Sequence, residues 1–121
     1  MKSCLVVDDS KVIRAIARTI LEELEFEVLE AEDAELAVDA CERRMPDAIL
    51  LDWNLPAMTG IDFLHHLRGM SGGEAPVVVF CTTENDAEHI ETAMSTGANE
   101  YIMKPFDSEI VQLKFSQVGL I

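Results

Sequence analysis

Read for its alternation of apolar and polar positions, the chain falls into five similar units. Cys4 to Val7 is a continuous apolar run rich in β-branched residues, and Asp8-Asp9-Ser10 ends it. A short apolar run bounded by turn signals reads as a strand buried on both faces. Val12, Ile13, Ile16, Ala17, Ile20, Leu21 and Leu24 then recur at helical spacing, with Ser10 placed as N-cap. Glu27 to Ala31 predicts a second strand. Ala34 to Arg44 predicts a second helix with Leu36, Ala37, Ala40 and Cys41 inward, Arg43 and Arg44 at its negative end, and Pro46 as its stop. Asp47 to Asp52 is the third strand. Thr59-Gly60-Ile61-Asp62 has capping-box spacing and opens a third helix to about Arg68, with Ile61, Leu64 and Leu67 buried. After a glycine-containing loop (Gly69, Gly72, Gly73) come a strand from Pro76 to Cys81, a polar helix from Asp86 to Thr96 closed by Gly97, a strand from Asn99 to Met103, and a helix from about Asp107 to Val118.

Strand and helix alternate five times. That order predicts an α/β fold, a five-stranded parallel sheet with helices on both faces. Right-handed crossovers leave few topologies, and the flavodoxin-like order 2-1-3-4-5 is the common one for five strands. The 121 residues suit one domain, with no internal repeat, linker or second domain expected.

Composition narrows the function. Hydrophobic residues make up 49%, enough for a packed core. Twenty-three acidic residues stand against nine basic ones, a formal net charge of −14. Such a balance argues against nucleic acid and anionic membrane surfaces, and fits basic partners or bound cations. Cys4, Cys41 and Cys81 have neither disulfide nor zinc spacing and read as buried free thiols of a reducing, cytoplasmic compartment. The amino terminus is too short an apolar stretch for a signal peptide or membrane span. The six methionines read as core filler, and His65, His66 and His89 as surface or boundary residues.

The chemistry gathers where strands end. Asp8 and Asp9 follow the first, Asp52 the third, Thr82 the fourth and Lys104 the fifth. Parallel strands bring these ends to one edge, the edge at which open α/β sheets bind ligands. Two unit charges 4 Å apart repel by ~4 kcal/mol at an effective dielectric of 20, so clustered carboxylates call for a cation. Magnesium fits best, because it takes one or two carboxylates and shares a phosphate oxygen. Lys104 adds a point charge suited to phosphate, and Thr82 a hydroxyl donor. Together these groups describe covalent phosphoryl transfer to a carboxylate. Taken singly, each has a duller reading: an Asp pair that caps a helix, a turn threonine, a Lys-Pro loop.

Asp8-Asp9, Asp52, Thr82 and Lys104-Pro105, at this spacing, resemble the receiver domain of two-component response regulators over essentially the whole chain. The stretch from Asp52 to Gly60 is similar to single-domain chemotaxis regulators. The resemblance implies that Asp52 accepts a phosphoryl group from a phosphohistidine of a sensor histidine kinase. It implies Mg2+ held by Asp9, Asp52 and the backbone carbonyl of Asn54, with Asp8 acting through water. Thr82 and Lys104 would contact the phosphoryl oxygens, and the Lys104–Pro105 bond would be cis. Tyr101 would swing inward as Thr82 moves, altering the surface of helix four, strand five and helix five. Asn54 and Glu84 lie where the family tunes dephosphorylation. Thr83 departs from the usual small residue and leaves that rate open. Trp53 reads either as a reporter over the site or as a surface aromatic.

The resemblance therefore implies a stand-alone, monomeric signalling protein that binds a downstream effector such as a flagellar-motor component, or serves as a phosphate sink. The alternative is an aspartate-nucleophile, Mg2+-dependent phosphohydrolase; that family places an Asp-x-Asp after strand one, where this chain has adjacent aspartates. A relic without phosphorylation fits the intact residue set poorly.

Overall fold

In the computed structural model, which describes residues 1–83 and 87–121, five strands and five helices alternate. They are β1 (Ser3–Val7), α1 (Lys11–Glu23), β2 (Glu27–Ala31), α2 (Ala34–Arg43), β3 (Ala48–Asp52), α3 (Gly60–Arg68), β4 (Val77–Thr82), α4 (Ala87–Thr96), β5 (Glu100–Met103) and α5 (Ser108–Gln117). The sheet is parallel, in the order β2-β1-β3-β4-β5.

The central strands are apolar throughout because both faces are covered. Cys4, Val6, Leu50 and Val79 pack with Ala17, Leu21, Val111 and Phe115, so α1 and α5 lie on one face. Leu5, Val7, Ile49, Leu51 and Phe80 pack with Ala37, Cys41, Phe63, Leu64, Leu67 and Ala93, so α2, α3 and α4 lie on the other. Burial of each of these valine, leucine, isoleucine and phenylalanine side chains contributes about 1.5–3 kcal/mol.

Helix starts follow local chemistry. Ser10 Oγ accepts from the Ile13 N–H, Asp33 Oδ1 from Leu36, Thr59 Oγ1 from Asp62 and Asp107 Oδ1 from Ile110. The end of α1 is a Schellman turn. The Glu25 N–H donates to the Glu22 carbonyl and the Phe26 N–H to the Leu21 carbonyl, with Glu25 at φ 67°. Arg68, at the end of α3, donates to the carbonyls of Gly73, Pro76 and Gly97 and to Asn99 Oδ1.

Several expected faces shift. Leu36 is 43% exposed and Ala34 is buried instead, because the covered stripe of α2 runs through Ala34, Ala37, Val38 and Cys41 and leaves Leu36 at its edge. On α3, Ile61 is only half-buried, whereas Phe63 is fully buried between α3 and the sheet. No methionine is fully buried; Met1, Met58 and Met94 are exposed and Met45 and Met70 pack at the core's margin. Val12 and Ile16 share the apolar spacing of α1 but stay in solvent, since the sheet covers only a narrower stripe of that helix. The start of the fourth helix expected at Asp86 lies outside the described residues.

Candidate functional site

The parallel order carries the ends of β1, β3, β4 and β5 to one edge. Asp8 follows directly on β1, and its N–H donates to the Ala31 carbonyl at the end of β2. Asp52 closes β3. The Trp53 N–H bonds to the Cys81 carbonyl and the Gly60 N–H to the Trp53 carbonyl, which fixes the turn beyond Asp52. Gly60 is required there: a Cβ would collide with the Asp52 carbonyl and the Phe80 ring.

Asp8 and Asp52 are buried, at 3% and 5% exposure, whereas Asp9 is exposed. Each of the three offers a carboxylate oxygen within 4.8 Å of the other two. Lys104 Nζ reaches in from the end of β5 and donates to Asp8 Oδ2 at 2.7 Å and to Asp52 Oδ1 at 2.9 Å. The Lys104 N–H bonds to the Thr82 carbonyl, tying β5 to β4, and the Lys104–Pro105 peptide is cis.

Burial pushes the Asp52 carboxyl up from its ordinary value. The hydrogen bond from Lys104 opposes this, and the neighbouring Asp8 charge adds to it. Burial pulls the Lys104 ammonium down, but its bonds to Asp8 and Asp52 outweigh that and leave it raised. One ammonium thus serves two carboxylates directly, with a third beside them. A hard divalent cation matches the donor set: carboxylate oxygens, two of them sequestered, with charge left to neutralise.

Other expected residues fall as follows. Thr82 is buried at the end of β4 and Thr83 is exposed. Asn54 is exposed in the turn after Asp52, and Glu84 lies outside the described residues. Tyr101, half-buried on β5, sits two register positions behind Thr82, on the same face of the sheet: Phe80 pairs with Tyr101 and Thr82 with Met103. Lys114 Nζ lies 4.6 Å from the centre of the Tyr101 ring and 3.4 Å from Glu100. Trp53 is half-buried, packed between Phe80 (5.3 Å) and His89 of α4 (4.6 Å). His65 and His66 are exposed. The three cysteines are buried and free, and burial pushes the Cys4 thiol up to about 12 and the Cys41 thiol to about 11. Sequence reasoning missed Arg14, whose Nη1 donates to the Asp8 carbonyl at 2.7 Å while Nε bonds Glu30. An arginine on a helix's first turns carries no local sign of such a target.

A family model described as "Response regulator receiver domain" matches residues 4–115. The chain belongs to this family. Among curated relatives, the phosphate regulon transcriptional regulatory protein PhoB of Escherichia coli is 41% identical over 102 residues, covering 84% of this chain and 44% of PhoB. The chain therefore spans less than half the length of that relative. Chemotaxis protein CheY1 of Helicobacter pylori is 35% identical over 116 residues, 94% of each chain. Among solved structures, chemotaxis protein CheY4 of Vibrio cholerae superposes with a TM-score of 0.92 at 30% identity, covering 98% of both chains. Receiver domains hold Mg2+ at an acidic pocket, and the Asp8, Asp9 and Asp52 cluster is an acidic group of that kind. No helix among the described residues is long and apolar enough to cross a membrane.

Proposed function

We propose that this receiver accepts a phosphoryl group on Asp52 from a phosphohistidine of a sensor histidine kinase. The observation that carries the reading is the Lys104 bond to Asp52 beside two further carboxylates within 4.8 Å. An Asp52 oxygen attacks phosphorus in line as the bond to the histidine nitrogen breaks. The incoming group carries negative charge into a site already rich in it. Lys104 moves from carboxylate to phosphoryl oxygen, and the Thr82 hydroxyl donates to another oxygen. Bound Mg2+ would be held by Asp9, Asp52 and the Asn54 carbonyl, with Asp8 through water, and supplies the remaining charge neutralisation. Thr83 and Asn54, both exposed beside the site, are the described residues that tune the hydrolysis that ends the signal.

Thr82 drawn toward the phosphoryl group leaves room on the face of the sheet it shares with Tyr101. Tyr101 then leaves its place against Lys114 and turns inward, changing the surface of α4, β5 and α5. The CheY1 and CheY4 relatives, matched over nearly their full lengths, support a role in which the receiver itself meets its effector, their chemotaxis names support an effector in motility, and the buried free thiols support a reducing, cytoplasmic compartment. The phosphohydrolase reading is not favoured, since adjacent aspartates rather than Asp-x-Asp follow β1.

The test is incubation with a phosphorylated histidine kinase and Mg2+, followed by mass spectrometry of borohydride-trapped peptides. Reduction of the acyl phosphate at Asp52 to a homoserine side chain, with release of phosphate and absent in Asp52→Asn, is expected. Label on another residue, or unchanged labelling of Asp52→Asn, overturns the assignment. Effector binding that rises with beryllofluoride supports the switch; indifference of every motility partner to beryllofluoride supports the sink.

A further inference from the structure

A groove of about 450 Å3, not lined by Asp52, separates the start of α2 from the loop between β3 and α3. Its floor is apolar: Ala34 and Val38 on α2 face Pro56, Ala57 and Met58 on the loop. Met58 is 37% exposed, so the apolar surface opens to solvent. Ala57 is held at φ 67°, a left-handed conformation that costs a residue with a Cβ about 1–2 kcal/mol. The volume lies within the range of ordinary ligand pockets, ~300–1,000 Å3.

The rim is anionic. Asp33, Glu35 and Asp39 line the α2 side, against one imidazole, His66, on the other wall. Asp33 is committed to capping α2. Glu35 and Asp39 form no ion pair among the described residues. They stand one helical turn apart, so their charges are side by side along the groove.

We propose that this groove docks a short basic amphipathic segment of a partner protein, an apolar anchor side chain entering between Val38 and Met58 and flanking Lys or Arg residues meeting Glu35 and Asp39. Charge decides among occupants. A second copy of a chain with net charge −14 would set carboxylates against this rim, and an anionic lipid surface would do the same. A cationic peptide is attracted by both the rim and the net field. The groove lies apart from Tyr101 and α5, so docking here leaves the α4, β5 and α5 surface free.

The probe is a fluorescein-labelled dodecapeptide with leucines on one helical face and arginines on the flanks, titrated by anisotropy and by 15N amide shifts on the intact chain. Saturable binding is expected, with shifts centred on Ala34, Val38, Ala57 and Met58. Affinity is expected to fall about fivefold or more in Glu35→Gln/Asp39→Asn and separately in Val38→Glu, both with unchanged circular dichroism. The proposal is overturned by shifts centred elsewhere or by equal binding of a leucine-free peptide of the same charge. It is also overturned by affinity unchanged in the variants, or by self-association of the chain through this face.

Discussion

The ammonium of Lys104 is bonded to the carboxylate of Asp52 at 2.9 Å, across 52 residues of sequence, and the same nitrogen holds Asp8 at 2.7 Å. Lysine is thereby the resident counter-cation of a site built for more positive charge than one ammonium supplies. Lys104→Ala leaves two sequestered carboxylates facing each other. In chelator this variant is expected to lose about 2–3 kcal/mol of stability, and to regain more of it on adding Mg2+ than the parent does. Thermal melts in EDTA and in millimolar Mg2+ measure both; a variant as stable as the parent in EDTA contradicts the pairing.

Asp52→Asn acts in the opposite sense. The Asp52 carboxyl is raised in the fold, first by burial, so its ionised form opposes folding. Removing that charge is expected to raise the melting temperature in EDTA and to shrink the rise caused by Mg2+. The sign fixes the pH dependence. The parent carries the full penalty above its folded pKa, which lies above 3.8, and loses it as pH falls through that value. The advantage of Asp52→Asn is therefore full near neutrality and gone below about pH 3.8. A gap that widens on acidification would refute this account.

Gly60 is the position at which the site's backbone is least forgiving. An added methyl must displace the Asp52 carbonyl or the Phe80 ring. Gly60→Ala is expected to cost about 2–3 kcal/mol, on overpacking alone, and to weaken Mg2+ binding because Asp52 moves with its carbonyl. Urea denaturation and isothermal titration with Mg2+ read the two effects; loss of neither means that the turn gives way freely.

Glu25 occupies the position after α1 where glycine is preferred, exposed and at φ 67°. Glu25→Gly is expected to stabilise the protein by about 0.5–1 kcal/mol, relief of the left-handed strain exceeding the added entropy of the unfolded chain. A lower urea midpoint for Glu25→Gly would count against the Schellman geometry at this turn.

The strands were readable because the interior of a parallel sheet is buried on both faces, which writes Cys4–Val7 and Ile49–Leu51 as unbroken apolar runs. The caps at Ser10 and Thr59 were readable because their bonds are local. The aspartates, Thr82 and Lys104 could be placed at one edge because the topology follows from the order of elements. Phase within a helix was less legible. Phe63 is buried where Ile61 was expected, and Val12 and Ile16 stay in water, because the width and angle of the covered stripe depend on how each helix lies across the sheet. The Lys104 bond to Asp8 joins residues that only folding brings together, and the Arg14 bond to the Asp8 carbonyl depends on a side-chain direction; no local pattern announces either.

Arg68 couples three segments through one guanidinium, and its contact on the α4 side is the Gly97 carbonyl, just past the helix's carboxyl end. Next to the chemistry, by contrast, α4 meets the β3–α3 turn through the ring contact of His89 with Trp53. A helix held at its tail by Arg68 and leaning on an aromatic near its head is shaped as a lever: under the switch proposed above, displacement beside Thr82 would become a tilt about Gly97.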